Sequence, residues 1–448
     1  MTINPPDSVL LLGPDDDVTT ARRDGNRFVT LGTEVTLRPA SDGMAVDVSC
    51  PTGELSRVGL RWRRPLVPGS LILGDAWERG YGDLQWRSVQ PERVLPWSWL
   101  RHDPDSGRTD GMGVRVRPAA FCSWLVDEDG FSLWLDLRNG GGPVRPGDRR
   151  LTAATIVDVT GAADETPWAV QRRLCAEMCT DPLPSAGPIV GCNNWYYAYG
   201  RDFTPEHVLR DADTVVSLAD GHPVRPFAVV DAGWSAGGVC PGGPWKRGLP
   251  GIFDDMPGLA AAIAERGARP GIWMRPAALS FVDDPGRLRA GPRRVAEQPL
   301  DLTVPENLAD IDADVRRIRG WGFELIKHDF STYDAFGRFG NKVGSDLTES
   351  GWQWADRSLT NAEILLRFYR TIREAAGDAV LIGCNTVGHL AAGLVEVQRI
   401  GDDTSGRHWE RTRHMGVNSL AFRLAQHGTF FTADADCVAC TPQTPWEK

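Results

Sequence analysis

The sequence has no run of about 18 apolar residues, the length that a membrane-spanning helix needs, so no membrane partner is expected. Histidine is scarce, with 8 in 448 residues, and neither an HxH nor an HExxH spacing occurs. Catalytic zinc is therefore not expected, although a carboxylate-only Mg²⁺ or Ca²⁺ site stays open as an alternative. Basic residues are also outnumbered, because 49 Lys and Arg face 59 Asp and Glu. A net charge of −10 without a basic patch predicts no nucleic-acid partner.

Signals for export and for nucleotide binding are missing as well. The start, MTINPPDSVLLLGPDDD, has no basic n-region, so we expect no signal peptide and a cytoplasmic location. Most of the nine cysteines are then expected to be reduced, and the lone Cys437-x-x-Cys440 is interpreted as structural thiols. No glycine-rich phosphate loop follows the first strand of the second half of the chain, where GCNNWYYAYG stands instead. We therefore predict a protein that uses neither a cofactor nor a metal.

Residues 1–165 have the pattern of an N-terminal β-sandwich. Short segments that alternate apolar and polar residues are separated by Asp-Gly and Gly-Gly turns. The predicted strands are Arg27–Leu31, Val35–Arg38, Met44–Ser49, Ser56–Trp62, Gly113–Val116, Phe131–Leu137 and Leu151–Val159. Residues 166–186 are predicted to form a linker helix and a linker. The segment TPWAVQRRLCAEMC has a helical period with Trp168, Val170 and Leu174 as buried positions, and prolines follow it.

From 187 to 448 the chain alternates short apolar runs with amphipathic helices, which is typical of a parallel α/β sheet of the (β/α)8 TIM-barrel type. An open doubly wound sheet is the structural alternative. The predicted strands are Ile189–Cys192, Phe227–Asp231, Pro270–Met274, Leu325–Asp329, Val380–Cys384, Val395–Ile400 and Thr429–Phe431. These are seven strands rather than eight. Either one more is hidden in Gly286–Thr303, or the barrel lacks its last strand and a C-terminal domain.

Chemistry in such barrels lies at the carboxyl ends of the strands. The residues there are rich in carboxylates and tryptophans: Asn193, Asn194, Trp195, Asp231, Trp234, Trp273, Arg275, Lys327, Asp329, Cys384, Asn385, Arg399, Asp402, Asp403, Asp434 and Asp436. Two carboxylates between aromatic walls suit glycoside hydrolysis, in which an ionised carboxylate attacks and a protonated one donates to the departing oxygen. The spacing leaves alternatives open. Asp329 could form a structural ion pair with Lys327, and Asp402-Asp403 could be a helix cap or a solvated turn.

An ordered set of motifs runs along the second part of the chain: GCNNWYYAYG with the following T-P-E, VVDAGW, PGIFDDMPGL, PGIWMRP, LIKHDF, IGCN and RIGDDT. This set resembles the α-galactosidase superfamily, glycoside hydrolase clan D, and is most similar to family 36. Upstream, LGDAWERGYGDLQW resembles the N-terminal β-sandwich of that family, which sends an aromatic side chain into the active site. The resemblance covers nearly the whole chain.

The resemblance implies a role for each matching residue. Asp329 falls on the nucleophile of the K-x-D motif, and Lys327 falls on its sugar-contacting lysine. Asp403, rather than Asp402, falls on the acid/base of the R-x-x-x-D motif, with Arg399 near the 2-hydroxyl. Such enzymes are retaining, which requires the two carboxyl groups to lie roughly 5–5.5 Å apart. The implied substrate-binding residues are Trp195, Asp231, Trp234, Trp273, Lys327, Cys384, Asn385, Arg399 and Asp434.

One departure from the family pattern affects specificity. The family has two adjacent aspartates after strand two, for the 4- and 6-hydroxyls of galactose, whereas this chain has Asp231-Ala232. We therefore expect a small α-D-galactoside or oligosaccharide as substrate, with β-L-arabinopyranosides as competitors. A transglycosylase of the raffinose-synthase type and a catalytically inert carbohydrate-binding barrel are the alternatives, and a homo-oligomer is possible. The long segment from Phe330 to Trp354 is expected to overhang Asp329.

Overall fold

The computed structural model describes residues 4–14, 17–30, 32–40, 43–81, 84–239, 242–293, 297–404 and 409–436. The Cys437-x-x-Cys440 pair lies outside these residues. In the described part the large sheets change from antiparallel to parallel strand pairing between Thr160 and Gly191. Six cysteines in this part are free thiols: Cys50, Cys122, Cys175, Cys179, Cys192 and Cys384.

The N-terminal part is built from antiparallel strands, as the alternating sequence pattern predicts. Their bounds are β1 Ser8–Leu12, β2 Val18–Thr20, β3 Arg22–Asp24, β4 Arg27–Thr30, β5 Thr33–Ala40, β6 Gly43–Cys50, β7 Arg57–Trp62, β8 Leu71–Gly74, β9 Arg87–Ser88, β10 Leu95–Pro96, β11 Ser98–His102, β12 Thr109–Val114, β13 Phe121–Asp127, β14 Gly130–Asp136 and β15 Gly147–Thr160. They form a six-stranded sheet in the order β10-β13-β14-β7-β1-β2 and a nine-stranded sheet in the order β3-β4-β5-β6-β15-β12-β11-β8-β9.

The two sheets pack on each other through aromatic side chains. Trp99 on β11 lies 6.5 Å from the ring of Trp124 on β13 and 5.4 Å from that of Phe131 on β14. Such ring pairs stabilise a core beyond the area that they bury. The prediction for Gly113–Val116 was displaced, because that strand is β12 and ends at Val114.

Helix α1 spans Pro167–Met178, and Thr166 caps it by accepting a 3.3 Å hydrogen bond from the backbone N–H of Ala169. Val170 and Leu174 are buried, as predicted, but Trp168 is 41% exposed. The prediction for Trp168 was wrong because it precedes Val170 by two positions, about 200° around a helix with 3.6 residues per turn.

The second part of the chain forms a seven-stranded parallel sheet whose strands follow one another in chain order. Its strands are β16 Gly191–Asn193, β17 Phe227–Val230, β18 Arg269–Met274, β21 Leu325–His328, β22 Val380–Gly383, β23 Val397–Arg399 and β24 Thr432–Asp434, and the short β19 Ala278–Leu279 and β20 Gln298–Pro299 pair only with each other. The segment Gly286–Thr303 thus adds no strand to the parallel sheet within the described residues.

Helices separate these parallel strands. Their bounds are α2 Trp195–Ala198, α3 Pro205–Leu218, α4 Met256–Glu265, α5 Pro305–Gly320, α6 Ser331–Phe336, α7 Asn361–Ala376, α8 Gly388–Ala391, α9 Trp409–Arg411 and α10 Ser419–Arg423, with a π-helical stretch Thr412–Asn418 and 3₁₀ turns Pro285–Arg287, Gly340–Lys342 and Leu424–Gln426. Ile364, Phe368 and Ile372 form an apolar stripe on α7, and all three are fully buried. No helix in the described residues has the length and apolar character needed to cross a bilayer.

The seventh strand differs from its prediction. Thr429–Phe431 lies in a turn that follows Gly428, where the N–H of Phe430 donates to the carbonyl of Gln426 at 2.9 Å. The strand begins only at Thr432. The two phenylalanines that suggested a strand are buried in an apolar cluster with Ala425 of the preceding 3₁₀ turn and with residues of α1.

The N-terminal part reaches the carboxyl end of the parallel sheet. The backbone N–H of Gly80 donates to the carbonyl of Ile400 at 2.7 Å, and Gly80 forms a parallel bridge with Gly401. A second contact joins Gly141 N–H to the carbonyl of Trp352 at 3.0 Å. Residues next to Gly80 are therefore held beside the loop that follows β23.

Candidate active site

A cavity of about 250 Å³ opens at the carboxyl end of the parallel sheet. Its lining comes from six of the seven parallel strands or the loops after them, from the long segment that follows β21, and from the N-terminal part. The lining residues are Arg79, Tyr81, Trp195, Asp231, Ala232, Val239, Trp273, Lys327, Asp329, Phe330, Phe339, Asn341, Asn385, Asp402 and Asp403. The two carboxylates singled out from the sequence, Asp329 and Asp403, thus face the same cavity.

Asp329 follows β21 directly, and its carboxylate is buried with a hydrogen bond to each oxygen. Oδ1 accepts from the backbone N–H of Phe330 at 2.7 Å and from the side-chain amide of Asn385. Oδ2 accepts from the indole N–H of Trp273 at 3.1 Å. Phe330 and Asn385 both have positive φ, 64° and 51°. Left-handed backbone at non-glycine residues is uncommon and is found where a site requires it.

The surroundings of Asp329 favour its ionised form. Burial alone would raise the pKa of this carboxyl, but the charge of Lys327, the hydrogen bond from Asn385 and the charge of Arg79 outweigh burial and hold the pKa below its ordinary value. A buried carboxylate that stays ionised is a suitable nucleophile.

Lys327 on β21 and Asp231, which follows β17, form a buried pair across the intervening strand β18. Lys327 Nζ lies 2.8 Å from Asp231 Oδ2, and the side-chain amide of Asn193 donates to the same oxygen at 2.7 Å. Asn194 accepts a 2.8 Å hydrogen bond from the backbone N–H of Asp231. Burial lowers the pKa of Lys327, but the charge of Asp231 and the other nearby acidic groups raise it by more than burial lowers it. The lysine is therefore charged.

Asp403 stands in the loop after β23 and is 44% exposed. Its Oδ1 accepts from Arg399 Nη2 at 2.8 Å and from Arg79 Nη1 at 3.2 Å. Within the described residues nothing hydrogen-bonds to Oδ2. The neighbouring Asp402 also contacts Arg79, at 3.1 Å, and lines the cavity.

The sequence analysis did not single out Arg79 or Glu78, although both stand in the quoted LGDAWERGYGDLQW. Arg79 Nε donates to Glu78 Oε1 at 3.2 Å, and Glu78 Oε2 accepts from the backbone N–H of Gly340 at 3.1 Å. Burial raises the pKa of Glu78 even though the Arg79 charge opposes this. The sequence feature that could have indicated these two residues is an adjacent Glu-Arg pair within a segment rich in aromatics and glycines. Tyr81, two residues on, is the aromatic of this segment that lines the cavity.

Two of the three predicted tryptophans line the cavity, and one does not. Trp195 and Trp273 are lining residues. Trp234 is fully buried behind Trp273, to whose carbonyl its indole N–H donates at 2.8 Å. It packs on Trp245, with ring centroids 5.6 Å apart. The structure therefore places Trp234 as a support for Trp273 rather than on the cavity wall.

The remaining predicted residues divide in the same way. Asn385 lines the cavity, and its Oδ1 is buried without a hydrogen-bond partner in the described structure. Cys384 and Arg399 are buried behind the wall, where Arg399 Nη1 lies 3.9 Å from the Cys384 sulfur, and burial raises the pKa of that thiol. Asp434 accepts a 2.8 Å hydrogen bond from the backbone N–H of Asp436 and is not a lining residue.

The long segment after β21 overhangs Asp329, as expected. Phe330, Phe339 and Asn341 all line the cavity. Arg275 supports this segment from below, because its guanidinium lies 4.3 Å from the ring of Phe330 and 3.0 Å from Asp334 Oδ2. The segment is therefore part of the site and not a surface insertion.

One further pattern, Gly233-Trp234-Ser235-Ala236-Gly237, has the spacing of a serine-hydrolase turn. Ser235 is buried, however, and its hydroxyl has no hydrogen-bond partner in the described residues, so it lacks the adjacent base that an active serine requires. Within the same residues, no three His, Cys, Asp or Glu side chains converge in a metal-binding group.

Comparison with known proteins relates this fold to α-galactosidases. No protein-family model matches the chain. The α-galactosidase TtGalA from Thermus thermophilus, in complex with p-nitrophenyl α-D-galactopyranoside, is similar with a TM-score of 0.63 and 18% identity over 99% of this chain and 86% of that one. Its complex with stachyose has a TM-score of 0.61 and 19% identity, over 94% and 90% of the two chains.

A second organism provides a comparable match. The GH36 α-galactosidase AgaB from Geobacillus stearothermophilus is similar with a TM-score of 0.58 and 14% identity, over 96% of this chain and 67% of that one. The chain therefore has the fold of these α-galactosidases. At identities of 14–19%, its activity has to be argued from the site.

Proposed function

We propose that the protein is a retaining glycoside hydrolase that removes terminal α-D-galactosyl groups from small glycosides and oligosaccharides. The observation that carries the proposal is that Asp329 and Asp403 line one cavity in different environments. Asp329 is buried and held ionised, whereas Asp403 is half-exposed with one free oxygen. Two carboxylates with separate roles are the arrangement that glycoside hydrolysis uses.

In the first step, an oxygen of Asp329 attacks the anomeric carbon. Oδ2 is the freer oxygen because it accepts one hydrogen bond, from Trp273, whereas Oδ1 accepts two. The bond between the anomeric carbon and the glycosidic oxygen breaks, and its electron pair stays on that oxygen. Asp403 Oδ2 supplies the proton that neutralises the departing alkoxide. The product of this step is a glycosyl ester of Asp329 and a free alcohol.

In the second step, water attacks the same carbon from the side that the alcohol has left. Asp403, now a carboxylate, takes the proton from that water. The ester bond breaks and returns Asp329 to its ionised form, which Lys327 and Arg79 stabilise. Two inversions give net retention of the anomeric configuration.

The cavity walls suit a single sugar ring. Its volume of about 250 Å³ lies below the roughly 300–1,000 Å³ of drug-sized sites. Trp195 and Trp273 offer flat apolar faces for the C–H side of a pyranose, and the Lys327–Asp231 pair offers a donor and an acceptor for its hydroxyls. The unpartnered Oδ1 of Asn385 can accept from the 2-hydroxyl.

The substrate range follows from the wall beside Asp231. Ala232 and Val239 line the cavity there and place apolar side chains where a second carboxylate would stand in family 36. The backbone N–H of Ala232 already donates to Asp231 Oδ1 at 2.8 Å. A sugar without the 6-hydroxyl therefore loses little binding energy at this wall. For this reason β-L-arabinopyranosides are proposed as second substrates.

The same proposal treats the seven parallel strands as part of a (β/α)8-type barrel in the cytoplasm. It divides the chain at 1–165, 166–186 and 187–448. The similarity to TtGalA, whose structures contain p-nitrophenyl α-D-galactopyranoside and stachyose, supports galactosides as substrates.

The test is a panel of p-nitrophenyl glycosides with the wild type and Asp329→Asn. We expect turnover of the α-D-galactoside, α-galactose as the first anomer seen by NMR, and a loss of at least about a thousandfold in kcat for the variant. β-Galactose as the first product would contradict retention. An inert wild type would favour a carbohydrate-binding role, and galactosyl transfer to sucrose in place of hydrolysis would favour a transglycosylase.

A further inference from the structure

We infer that Arg79, which the N-terminal part supplies, is a positioning residue that fixes Asp403 on the leaving-group side of the cavity. The inference rests on the proposed function, because it concerns the proton that Asp403 gives to the departing oxygen. According to this inference, the N-terminal part helps to position the residue that protonates the leaving group.

The guanidinium of Arg79 connects the two adjacent carboxylates of the loop after β23. Nη1 lies 3.2 Å from Asp403 Oδ1, and Nη2 lies 3.1 Å from Asp402 Oδ1. A planar guanidinium presents its donors in a fixed fork, so it holds two carboxylates in one relative orientation. Since the Arg79 side chain is only 5% exposed, the contact is shielded from solvent.

Arg79 is itself held from three directions. Its Nε donates to the buried Glu78 at 3.2 Å, and its Nη2 donates to the hydroxyl of Tyr81 at 3.2 Å. The neighbouring Gly80 bonds to the carbonyl of Ile400 at 2.7 Å, just before the loop that carries Asp403. The arginine therefore moves with the parallel sheet, although it belongs to the N-terminal part.

Asp403 needs Arg79 as a partner because Arg399, the other arginine that contacts it, also binds Asp436. Arg399 Nη2 lies 2.8 Å from Asp403 Oδ1 and also 2.6 Å from Asp436 Oδ2. Both arginines bind Oδ1 of Asp403. Their combined effect is to fix Oδ1 at the wall and to direct Oδ2, which no described residue binds, toward the cavity. Oδ2 is then the atom that exchanges the proton.

The test compares leaving groups of different quality with Arg79→Met and Arg79→Lys. A good leaving group such as 2,4-dinitrophenolate departs without a proton, whereas phenolate requires one. General acid catalysis contributes about 10²–10⁴-fold, so we expect Arg79→Met to lose at least about 100-fold in kcat/KM on phenyl α-D-galactoside and less than about tenfold on the dinitrophenyl substrate. Arg79→Lys keeps the charge without the fork and should fall between the wild type and Arg79→Met.

The control is Arg61→Met, which removes an arginine of the N-terminal sheets that pairs with Asp127 at 2.7 Å and does not line the cavity. It should change both substrates equally or not at all. Equal losses on both substrates for Arg79→Met, or no loss, would overturn the inference. If Arg79→Met does not fold, the same comparison with Arg79→Lys decides. A wild type that cleaves neither substrate would instead count against the proposed function.

Discussion

Lys327 Nζ lies 2.8 Å from Asp231 Oδ2, so that one buried ammonium joins the strand of Asp329 to the strand two places away. The same charge is the largest of the effects that offset the burial of Asp329. A single lysine therefore positions Asp231, the proposed acceptor for a sugar hydroxyl, and keeps the Asp329 carboxylate ionised.

Replacing this lysine should change the pH dependence of the reaction. In Lys327→Met the burial of Asp329 is less opposed, so the pKa of Asp329 rises. Because Asp329 must be ionised to attack, the acid limb of the kcat/KM profile should move to higher pH. A profile that keeps its acid limb would show that Lys327 does not control Asp329. Lys246→Met, at an exposed lysine outside the cavity, is the control and should leave the profile unchanged.

The assignment of the acid/base distinguishes Asp403 from Asp402, which stand side by side and share Arg79. Asp403→Asn should lower kcat/KM for a phenyl galactoside by about 10²–10⁴-fold. Asp402→Asn, the matched control, should lose less than about tenfold, since its contact to Arg79 is one hydrogen bond among several. Steady-state assays at several pH values check this. The opposite order of losses would move the acid/base to Asp402.

Specificity at C6 can be altered at one position. Ala232→Asp should restore a charged acceptor on the cavity wall, and a charge-assisted hydrogen bond contributes about 1.5–3 kcal/mol, or roughly 10–150-fold. We expect the ratio of kcat/KM for p-nitrophenyl α-D-galactoside over the β-L-arabinopyranoside to rise by that factor. Ala232→Val, which adds volume without a polar group, is the control and should not raise it. A wild-type galactose preference of a thousandfold would already contradict the proposed role of Ala232.

The ion pair beneath the overhanging segment should matter for stability. Arg275 and Asp334 are both fully buried, with Nε 3.0 Å from Oδ2. Asp334→Ala removes the carboxylate that neutralises the buried Arg275 guanidinium. It should lower the free energy of unfolding by about 3–5 kcal/mol. Asp378→Ala removes a partner of Arg319 that is 88% exposed and should cost less than about 1 kcal/mol. Urea denaturation compares them, and equal small losses would show that the buried pair is dispensable.

The sequence predicted the architecture where local patterns decide it. Ile364, Phe368 and Ile372 form the buried stripe of helix α7, which ends before Gly377, because helical periodicity determines which residues share a face. Six parallel strands lie at or next to their predicted positions. The seventh was misplaced because buried phenylalanines in a turn have the composition of a strand.

The site was predictable to the extent that its residues follow strands. Asp329, Asp403, Asp231 and Lys327 were candidates because strand ends meet at one edge of a parallel sheet, and the choice of Asp403 over Asp402 came from the family resemblance. Arg79 and Glu78 were not, because they lie in the loop between β8 and β9, and Arg79 is 324 positions before Asp403 in the chain. Trp234 was placed on the wall because spacing along the chain does not distinguish a lining residue from the one behind it.

The contact between Gly80 and Gly401 has a consequence for sequence variation. A β-carbon on Gly401 would come within 1.9 Å of the carbonyl oxygen of Met415, and one on Gly80 would come within 2.8 Å of the Ser419 hydroxyl. Neither glycine bears a functional group, yet a methyl group on Gly80 would press the N-terminal part against Ser419, and one on Gly401 would displace the loop after β23 from Met415. Either change would disturb the contact that holds Arg79 beside its carboxylates. In related sequences, loss of these two glycines should therefore accompany loss of the arginine, since the backbone contact serves to place its side chain.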